Sequence, residues 1–300
     1  MFTWTPKSKI LIQGITEPLG NYATGKMKDY GTHIVAGVSV GQGGTTLHDI
    51  PVFDLVEQAI SEVGEIDTSL IFVAPDLILD AALEAIAAGI QQLIIIPAGV
   101  PPLDVMQLLN KTHNQDILIL GGGSSGVLIP GKVLLGMMNP QGYKPGNVAI
   151  LSRTDSYLTD EVATILTQAG IGQSMVVHWG TSDMIGANFA DWYEALAQDG
   201  ETEAIVLLEQ SAIGNDAAAQ AIPKNYSKPV VAYIAGQEIP VNSIPQDSAT
   251  LIASQISEPF PHTSLASEKI AVCKKAKIPV AKSPYQIAEL IRGALKKQKK

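Results

Sequence analysis

Three glycine-rich turns in the first half of the chain have the residue types that hold a phosphate group. Each follows a short apolar run: residues 14–20 read GITEPLG, residues 41–46 read GQGGTT, and residues 121–126 read GGGSSG. In an open α/β sheet, ligands bind outside the carboxyl ends of the strands, where glycine amides and helix N-termini face an anion. Glycines also serve tight turns that hold no ligand. Three such turns at successive strand ends nevertheless favour a nucleotide-type ligand.

The histidines and the cysteine give weaker signals. His33 and His178 lie in apolar runs, and we interpret them as core or edge residues. His48 and Asp49 stand together, but no third residue follows at the spacing of a metal site, so we predict none. The single cysteine, Cys273, excludes an internal disulfide and a cysteine-based zinc cage, and it favours a reducing, cytoplasmic location.

The composition limits the class of protein. With 300 residues, 46% of them hydrophobic and 16% charged, the chain can bury two domain cores and is not disordered as a whole. No apolar run approaches the roughly 20 residues of a membrane span, and the first residues lack the apolar core of a signal peptide. We therefore expect a soluble protein that has no membrane partner.

Charge is unevenly distributed along the chain. The net charge of −9 argues against nucleic-acid binding, because that function requires a basic face. Half of the 20 lysines and arginines nevertheless lie in residues 269–300, together with one acid, Glu289. Two interpretations remain open: a solvated last helix whose lysines complement the negative end of its dipole, or a docking surface for an anionic partner.

The elements that must position the turns alternate between strand and helix patterns. Short β-branched runs stand at residues 10–13, 33–40, 69–74, 93–96 and 117–120, and again at 147–151, 174–178, 204–208 and 229–234. Helix-type segments lie between them, for example 81–88, 160–168 and 216–222. This alternation predicts an α/β fold of two doubly wound domains. Three prolines and four glycines in residues 129–146 predict a linker there, between domains 1–128 and 147–300.

Several long segments match a known family in their order. They include QGITEPLG, GVSVGQGGTTLHDIPVFD, KPGNVAILSR, TEAIVLL and KPVVAYIAG. With these segments the chain resembles the α subunits of succinyl-CoA synthetase, within the acid–CoA ligases that have a CoA-binding domain, over nearly its whole length. The resemblance implies a Rossmann-like CoA-binding domain followed by a flavodoxin-like ligase domain. It also implies a β-subunit partner of the ATP-grasp type that brings the nucleotide site; a homo-oligomer is the alternative.

The resemblance further implies a phosphorylated histidine that passes its phosphate to a carboxylic acid before CoA displaces it. Asp247 stands where that histidine would fall, in a loop that has gained two prolines, and His262 follows fifteen residues later. An aspartate can in principle accept a phosphoryl group. Glu209 matches a family glutamate that orients the phosphohistidine. Without a histidine or a competent aspartate, no phosphoryl relay operates.

In that family the phosphate lies at the start of a helix. The corresponding residues are Ser152, Thr154, Asp155 and Ser156, and Asp155 replaces a glycine. A carboxylate at this position is a good N-cap residue. It would also repel a unit of phosphate charge by about 1 kcal/mol at 4 Å in water and about 4 kcal/mol near a protein surface. The sequence therefore predicts that the protein fills its own anion site.

The CoA site implied by the resemblance has changed in a similar way. Glu17 replaces a glycine, Gln42 a lysine and Ala98 a glutamate. The expected CoA-binding residues are Gly14, Thr16, Glu17, Pro18, Leu19, Gly20, Gln42, Gly43, Ile96, Pro97, Ala98 and Ser124. We expect either a CoA pocket of reduced affinity or glycines that only preserve the turns of an inherited fold.

Three hypotheses about function follow. The first is a relative of the α subunit that has lost the phosphoryl relay and binds CoA, an acyl-CoA or a related nucleotide as a sensor or regulatory subunit. The second is an active acid–CoA ligase α chain with an altered substrate, in which Asp247 or His262 carries the phosphate. The third is a structural assembly component that has no small ligand.

Overall fold

Two seven-stranded sheets organise the chain. The structure is a computed structural model that describes residues 4–113, 115–182, 189–211, 213, 218–237 and 265–298. In the first sheet the strands lie in the order β3-β4-β2-β1-β5-β6-β7, and all neighbours are parallel except β3 and β4. The strands are β1 (Ile10–Gln13), β2 (Ile34–Val38), β3 (Thr46–Leu47), β4 (Ile50–Phe53), β5 (Thr68–Ile71), β6 (Gln92–Ile95) and β7 (Leu118–Leu120).

Helices cross over between the parallel strands of this sheet. They are α1 (Pro18–Tyr30), α2 (Val56–Val63), α3 (Ile78–Ala87) and α4 (Pro102–Thr112), and a short 3-10 turn at Pro75–Leu77 precedes α3. Helices α1 and α4 begin with proline, whose fixed φ suits a first turn and whose missing N–H is no loss there. Helix α1 ends at Gly31, which has the left-handed φ of 97° typical of a C-terminal cap.

The second sheet has the order β14-β13-β12-β10-β11-β8-β9. Its strands are β8 (Gly126–Ile129), β9 (Val133–Gly136), β10 (Pro145–Arg153), β11 (Gln173–His178), β12 (Ala204–Gln210), β13 (Val230–Ala235) and β14 (Val280–Ala281). Its helices are α5 (Ser156–Gln168), α6 (Phe189–Gln198), α7 (Ala266–Lys275) and α8 (Pro284–Gln298), with 3-10 turns at Pro140–Gly142 and Ala218–Ala221. The predicted fold class, two α/β domains built on mainly parallel sheets, is confirmed.

The structure differs from the linker that the sequence predicts at 129–146. Strands β8 and β9 form an antiparallel hairpin there, and β8 also pairs with β11, so this segment belongs to the second sheet. Its apolar residues are buried, and Gly131 turns the chain between the two strands at φ 75°. The Thr32 hydroxyl after α1 donates to the carbonyl of Leu134 at 2.7 Å, which ties the hairpin to the first domain. Pro130 and Gly131 therefore mark the hairpin turn, whereas Pro140 and Gly142 form a 3-10 turn and Pro145 and Gly146 begin β10.

The first sheet separates two apolar cores. Ile10 and Ile12 of β1 share a buried cluster with Met27 of α1, and that cluster continues into the second domain as far as Ile150. Leu11 faces the opposite side, where its cluster contains buried residues of α2, α3 and α4. This alternation follows the period-two direction of side chains along a strand. One face of the first sheet thus shares its core with the second domain.

The basic C-terminal residues divide into two kinds. Lys296 and Lys297 are exposed in the last turn of α8, where cations complement the negative end of the helix dipole, and this exposure agrees with both interpretations of the basic segment. Lys269, in contrast, is completely buried in α7. No helix of the described ranges is long and apolar enough to cross a membrane.

Candidate functional site

The first candidate turn connects β1 to α1. Gly14 has φ 78°, and a Cβ placed on it would lie 2.9 Å from the backbone nitrogen of Val73, so the turn requires glycine there. Glu17 precedes the helix in an extended conformation, and its exposed side chain makes no capping hydrogen bond. Pro18 and Leu19 begin α1, and Leu19 is partly exposed. The turn therefore presents a carboxylate and an apolar side chain at the carboxyl end of β1.

The second turn, after β2, lies beside the first. The hydroxyls of Thr16 and Ser39 hydrogen bond at 2.5 Å, which joins the two turns. The backbone N–H of Gly43 donates to Oδ1 of Asp54 at 2.9 Å, so a carboxylate of this chain already occupies that amide. Gln42 is exposed. Asp54 was not among the predicted site residues, although it stands at the end of β4 in the segment PVFD, where a strand-end carboxylate could have been noticed.

The third turn, 121–126, packs against residues 96–98 and the second domain. The N–H of Gly123 donates to the carbonyl of Pro97 at 2.9 Å. Ile96 is buried, whereas Ala98 is exposed and lines a cavity of about 390 Å³ that also contacts Pro102, Thr181 and Ser182. The structure thus brings Ala98 of the first domain close to the loop that follows β11 in the second.

Ser124 connects the two domains and is not presented to a ligand. Its side chain is buried, its hydroxyl donates to the carbonyl of His178 at 2.5 Å, and it accepts the N–H of Gly126 at 2.9 Å. Residues 122–126 also have the Gly-x-Ser-x-Gly pattern of a hydrolase nucleophile. A nucleophile elbow leads from a strand into a helix, but here β8 follows the turn directly. The pattern therefore does not form an elbow.

Both ring nitrogens of His178 make hydrogen bonds. Nδ1 accepts the N–H of Ser125 at 3.0 Å, and Nε2 lies 2.6 Å from the carbonyl of Thr154, to which it donates. Burial lowers the pKa of His178 below its ordinary value of 6.5. The ring is therefore neutral near pH 7, and the interpretation of His178 as a satisfied core residue is confirmed. His33 is exposed and directly precedes β2.

Helix α5 begins at the carboxyl end of β10 with its own carboxylate as the cap. Asp155 is extended, and its Oδ1 accepts the N–H of Leu158 at 3.1 Å, so the predicted N-cap role is confirmed. Ser152 and Thr154 are buried, and their hydroxyls hydrogen bond to each other at 3.0 Å. The Ser152 hydroxyl also bonds to that of Thr159, at 2.7 Å, and thus faces the helix rather than solvent.

Gln210 supplies the side chain that faces this helix start from the neighbouring strand. Its Oε1 accepts the N–H of Asp155 at 3.4 Å. Sequence reasoning missed Gln210, because the resemblance points to the adjacent Glu209 instead. The polar groups gathered at the start of α5 are therefore one carboxylate, one neutral amide and buried hydroxyls.

Glu209 lies on the other face of the second sheet, since successive side chains of β12 alternate between faces. Its carboxylate is fully buried, and Oε2 lies 3.2 Å from Nζ of Lys269 in α7. The same Nζ donates to the carbonyl of Ile213 at 2.6 Å. Burial raises the pKa of Glu209, and the ammonium of Lys269 opposes that rise. Burial also raises the pKa of the Cys273 thiol, one turn further along α7, to about 12.

The structure thus divides the predicted site residues into groups. The two glycine turns lie together at the carboxyl edge of the first sheet, and Asp155 stands at the start of α5. Glu209 faces Lys269 instead, and Asp247 and His262 lie outside the described residues. Within the described ranges, no group of three or more histidine, cysteine, aspartate or glutamate side chains could hold a metal ion.

Comparison with known families gives two matches in order along the chain. A family model described as a CoA binding domain matches residues 5–99. A second, described as a succinyl-CoA ligase like flavodoxin domain, matches residues 145–252. The first match contains β1 to β6 of the first sheet, and the second contains β10 to β13 of the second sheet.

Relatives and solved structures extend over the whole chain. It is 35% identical over 289 residues to succinate–CoA ligase (ADP-forming) subunit alpha 2 of Archaeoglobus fulgidus, covering 96% of this chain and 98% of that protein. It is 32% identical over 294 residues to malate–CoA ligase subunit alpha of Methylorubrum extorquens, covering 96% of each. ATP citrate lyase from Methanothrix soehngenii, solved with citrate and coenzyme A, shares the fold at a TM-score of 0.82 and 18% identity. That alignment covers 99% of this chain and 51% of the lyase, so this chain spans about half its length.

The observed pair of α/β domains agrees with the order of the two domain matches. It also agrees with the similarity to α subunits over almost the full length of the chain. With relatives at 32–35% identity over 96% of its residues, this chain belongs to the family of succinate–CoA ligase α subunits.

Proposed function

We propose that this chain is a CoA- or acyl-CoA-binding α-type subunit that has lost the phosphoryl relay and serves as a sensor or regulatory subunit. The observation that carries the proposal is the cap of α5. Oδ1 of Asp155 accepts the N–H of Leu158 at 3.1 Å, so a carboxylate of the chain uses an amide that would otherwise face an incoming anion.

The charge at the start of α5 opposes a phosphate. A carboxylate 4 Å from a unit negative charge costs about 1 kcal/mol in water and about 4 kcal/mol near a protein surface. A phosphoryl group carries roughly 1.5–2 charges at pH 7, so the penalty rises about 1.5- to 2-fold. Gln210, the neighbouring side chain, is a neutral amide and does not offset that repulsion. These features support the loss of phosphoryl transfer at this helix.

The buried ion pair of Glu209 with Lys269 also supports the loss of phosphoryl transfer. A glutamate that orients a phosphorylated side chain must present its carboxylate to that side chain. Glu209 is instead buried against Lys269 at 3.2 Å, on the face of β12 opposite to Gln210. Moving it to the start of α5 would leave the buried ammonium of Lys269 without this partner, which is costly.

The first domain supports binding of a CoA-type ligand at reduced affinity. The two glycine turns keep their backbone close to the ends of the strands, which such a ligand requires. At Gly14, for example, a Cβ would collide with the backbone of Val73. Glu17 and Asp54 nevertheless place two carboxylates there, and the exposed Gln42 adds no positive charge. The phosphates of CoA would therefore be held less tightly than the geometry alone allows, while Ala98 and its cavity would accept the uncharged part of the ligand.

The partner proposed for this chain is a β-type subunit of the ATP-grasp class, since it would supply the nucleotide site that an α-type chain lacks. A homo-oligomer is the alternative. Co-expression with a β-type chain from the same genome, followed by affinity purification and light scattering, distinguishes a mixed complex from self-association.

Calorimetric titration of CoA, with succinyl-CoA and ADP as comparisons, tests the proposal first. We expect a dissociation constant in the micromolar range, about −8 kcal/mol. The double variant Glu17→Gly/Gln42→Lys removes a negative charge and adds a positive one, so it should bind CoA about ten-fold more tightly or better. Glu65→Gly, an exposed acid that precedes β5 at the other end of the sheet, is the matched control. No heat for any ligand on a folded sample would contradict ligand binding and favour a structural component.

A labelling experiment separates the proposal from an active ligase. The chain is incubated with its β-type partner and ATP labelled in the γ-phosphate. We expect no stable label on this chain. Label that hydroxylamine removes would indicate an acyl phosphate, for which Asp247 is the candidate. Label that survives hydroxylamine but is lost in acid would indicate a phosphohistidine, for which His262 is the candidate. Loss of that label in Asp247→Asn or His262→Asn would assign the residue and overturn the loss of the relay.

A further inference from the structure

A cavity of about 330 Å³ lies at the end of the molecule opposite the glycine turns. Trp4 precedes β1, Met175 is the third residue of β11, and Glu201 precedes β12, so the cavity opens at the amino ends of the strands. The CoA-type ligand of the proposed function would bind at the carboxyl ends. The cavity is therefore separate from the candidate site.

Each domain contributes one tryptophan to the wall of the cavity. The rings of Trp4 and Trp192 are stacked, with centroids 6.2 Å apart and an interplanar angle of 25°. Nε1 of Trp4 donates to the hydroxyl of Thr68 in β5 at 3.0 Å, which fixes that indole to the first sheet. Trp192 belongs to α6 of the second domain, and Leu196 lies one turn further along the same helix and also faces the cavity. The remaining apolar wall includes Ile129, Met175 and Ala195.

The charged side chains that line the cavity already have partners within the chain. Nζ of Lys132 lies 2.6 and 2.7 Å from the two carboxylate oxygens of Glu201. Asp199 accepts the hydroxyl of Thr202 at 2.5 Å and the N–H of Glu201 at 3.1 Å. The hydroxyl of Ser174 bonds to that of Thr202 at 2.7 Å. A charged ligand would have to break these pairs, whereas an uncharged ligand leaves them intact.

We propose that this interdomain cavity binds a small uncharged molecule that contains an aromatic ring. An apolar cavity of about 150 Å³ can bind benzene, so 330 Å³ accommodates one ring with substituents. Apolar and aromatic walls combined with polar groups that orient the ligand are the usual composition of such sites. Because the ring would contact Trp4 of one domain and Trp192 of the other, its binding stabilises the association of the two domains.

The test uses para-fluorobenzyl alcohol as the probe and the full chain as the protein. Fluorine NMR measures binding, and tryptophan fluorescence, to which Trp179 contributes besides Trp4 and Trp192, is a second readout. The variant Ala195→Phe fills the cavity from α6, and Ala197→Phe on the same helix, which does not line the cavity, is the matched control. Thermal unfolding of both variants shows that each is folded.

We expect the probe to bind the natural chain with a dissociation constant of about 1 mM or below. Ala195→Phe should weaken binding by about ten-fold or more, and Ala197→Phe should leave it unchanged. Absence of binding to the natural chain, or equal binding to the Ala195→Phe variant, would overturn the proposal. Because the readout does not involve CoA, failure here and failure of the proposed function are distinguished.

Discussion

Substitution of Asp155 separates its two effects, capping a helix and repelling an anion. Asp155→Asn keeps a good N-cap residue but removes the negative charge. Asp155→Ala removes both and should lower the free energy of unfolding by about 1 kcal/mol, because the N–H of Leu158 loses its acceptor. Removing about 1 kcal/mol of repulsion per unit charge from a phosphate dianion gains at least about 2 kcal/mol, or about 30-fold in phosphate affinity.

The assay is a titration of inorganic phosphate into each variant, with binding detected by calorimetry or phosphorus NMR. Urea unfolding of each variant measures its stability in parallel. We expect the natural chain to bind phosphate weakly, Asp155→Asn to bind it about 30-fold more tightly at unchanged stability, and added salt to reduce the difference. Glu161→Gln, at an exposed acid further along the same helix, is a control for a general change of charge. If the natural chain bound phosphate as tightly as the Asp155→Asn variant, the reasoning about a self-filled anion site would be refuted.

Three further results are expected. Lys269→Met alone or Glu209→Gln alone should lower the free energy of unfolding by about 3–5 kcal/mol, because each removes one charge of a buried pair and leaves the other without this partner of opposite charge. Glu209→Leu/Lys269→Met should cost much less, and urea unfolding measures the difference. The pKa of His178 is lower in the folded than in the unfolded chain, so stability should be constant above about pH 7 and fall as the pH drops below 6.5, and His178→Gln should flatten that slope in denaturation at varied pH. Gly14→Ala should cost about 1–3 kcal/mol in thermal unfolding, because φ is 78° and the added carbon meets Val73.

Much of the parallel core could be predicted from the sequence, because each strand is a compact apolar run and each crossover helix has its own periodic face. The pair of β10 and α5 is an example, since the strand signal ends where Asp155 caps the helix. The capping role of Asp155 depends only on residues three positions apart, so local reasoning was sufficient. The hairpin of β8 and β9 was missed because its glycines and prolines are also typical of a linker.

Contacts between distant residues could not be derived in this way. Glu209 and Lys269 are sixty positions apart, and a lysine in a segment rich in lysines gives no sign that it is buried. The hydroxyl of Ser124 meets a carbonyl in the other domain, which no local pattern records. Asp54 reaches Gly43 only because the turn after β2 folds back over β4. The chemistry of the site therefore depends on pairings that sequence spacing does not reveal.

The hairpin of β8 and β9 has a consequence for how the two domains could have been inherited. It lies between them in sequence, pairs with β11 in the second sheet, and hydrogen bonds through Leu134 to Thr32 in the first domain. A gene break at residue 128 would split β8, and one after β9 would leave that strand without its sheet. Neither half could be exchanged as an independent module without exposing the apolar core that both share. The two domains are therefore expected to have evolved as a single unit of inheritance and to unfold as a single cooperative unit.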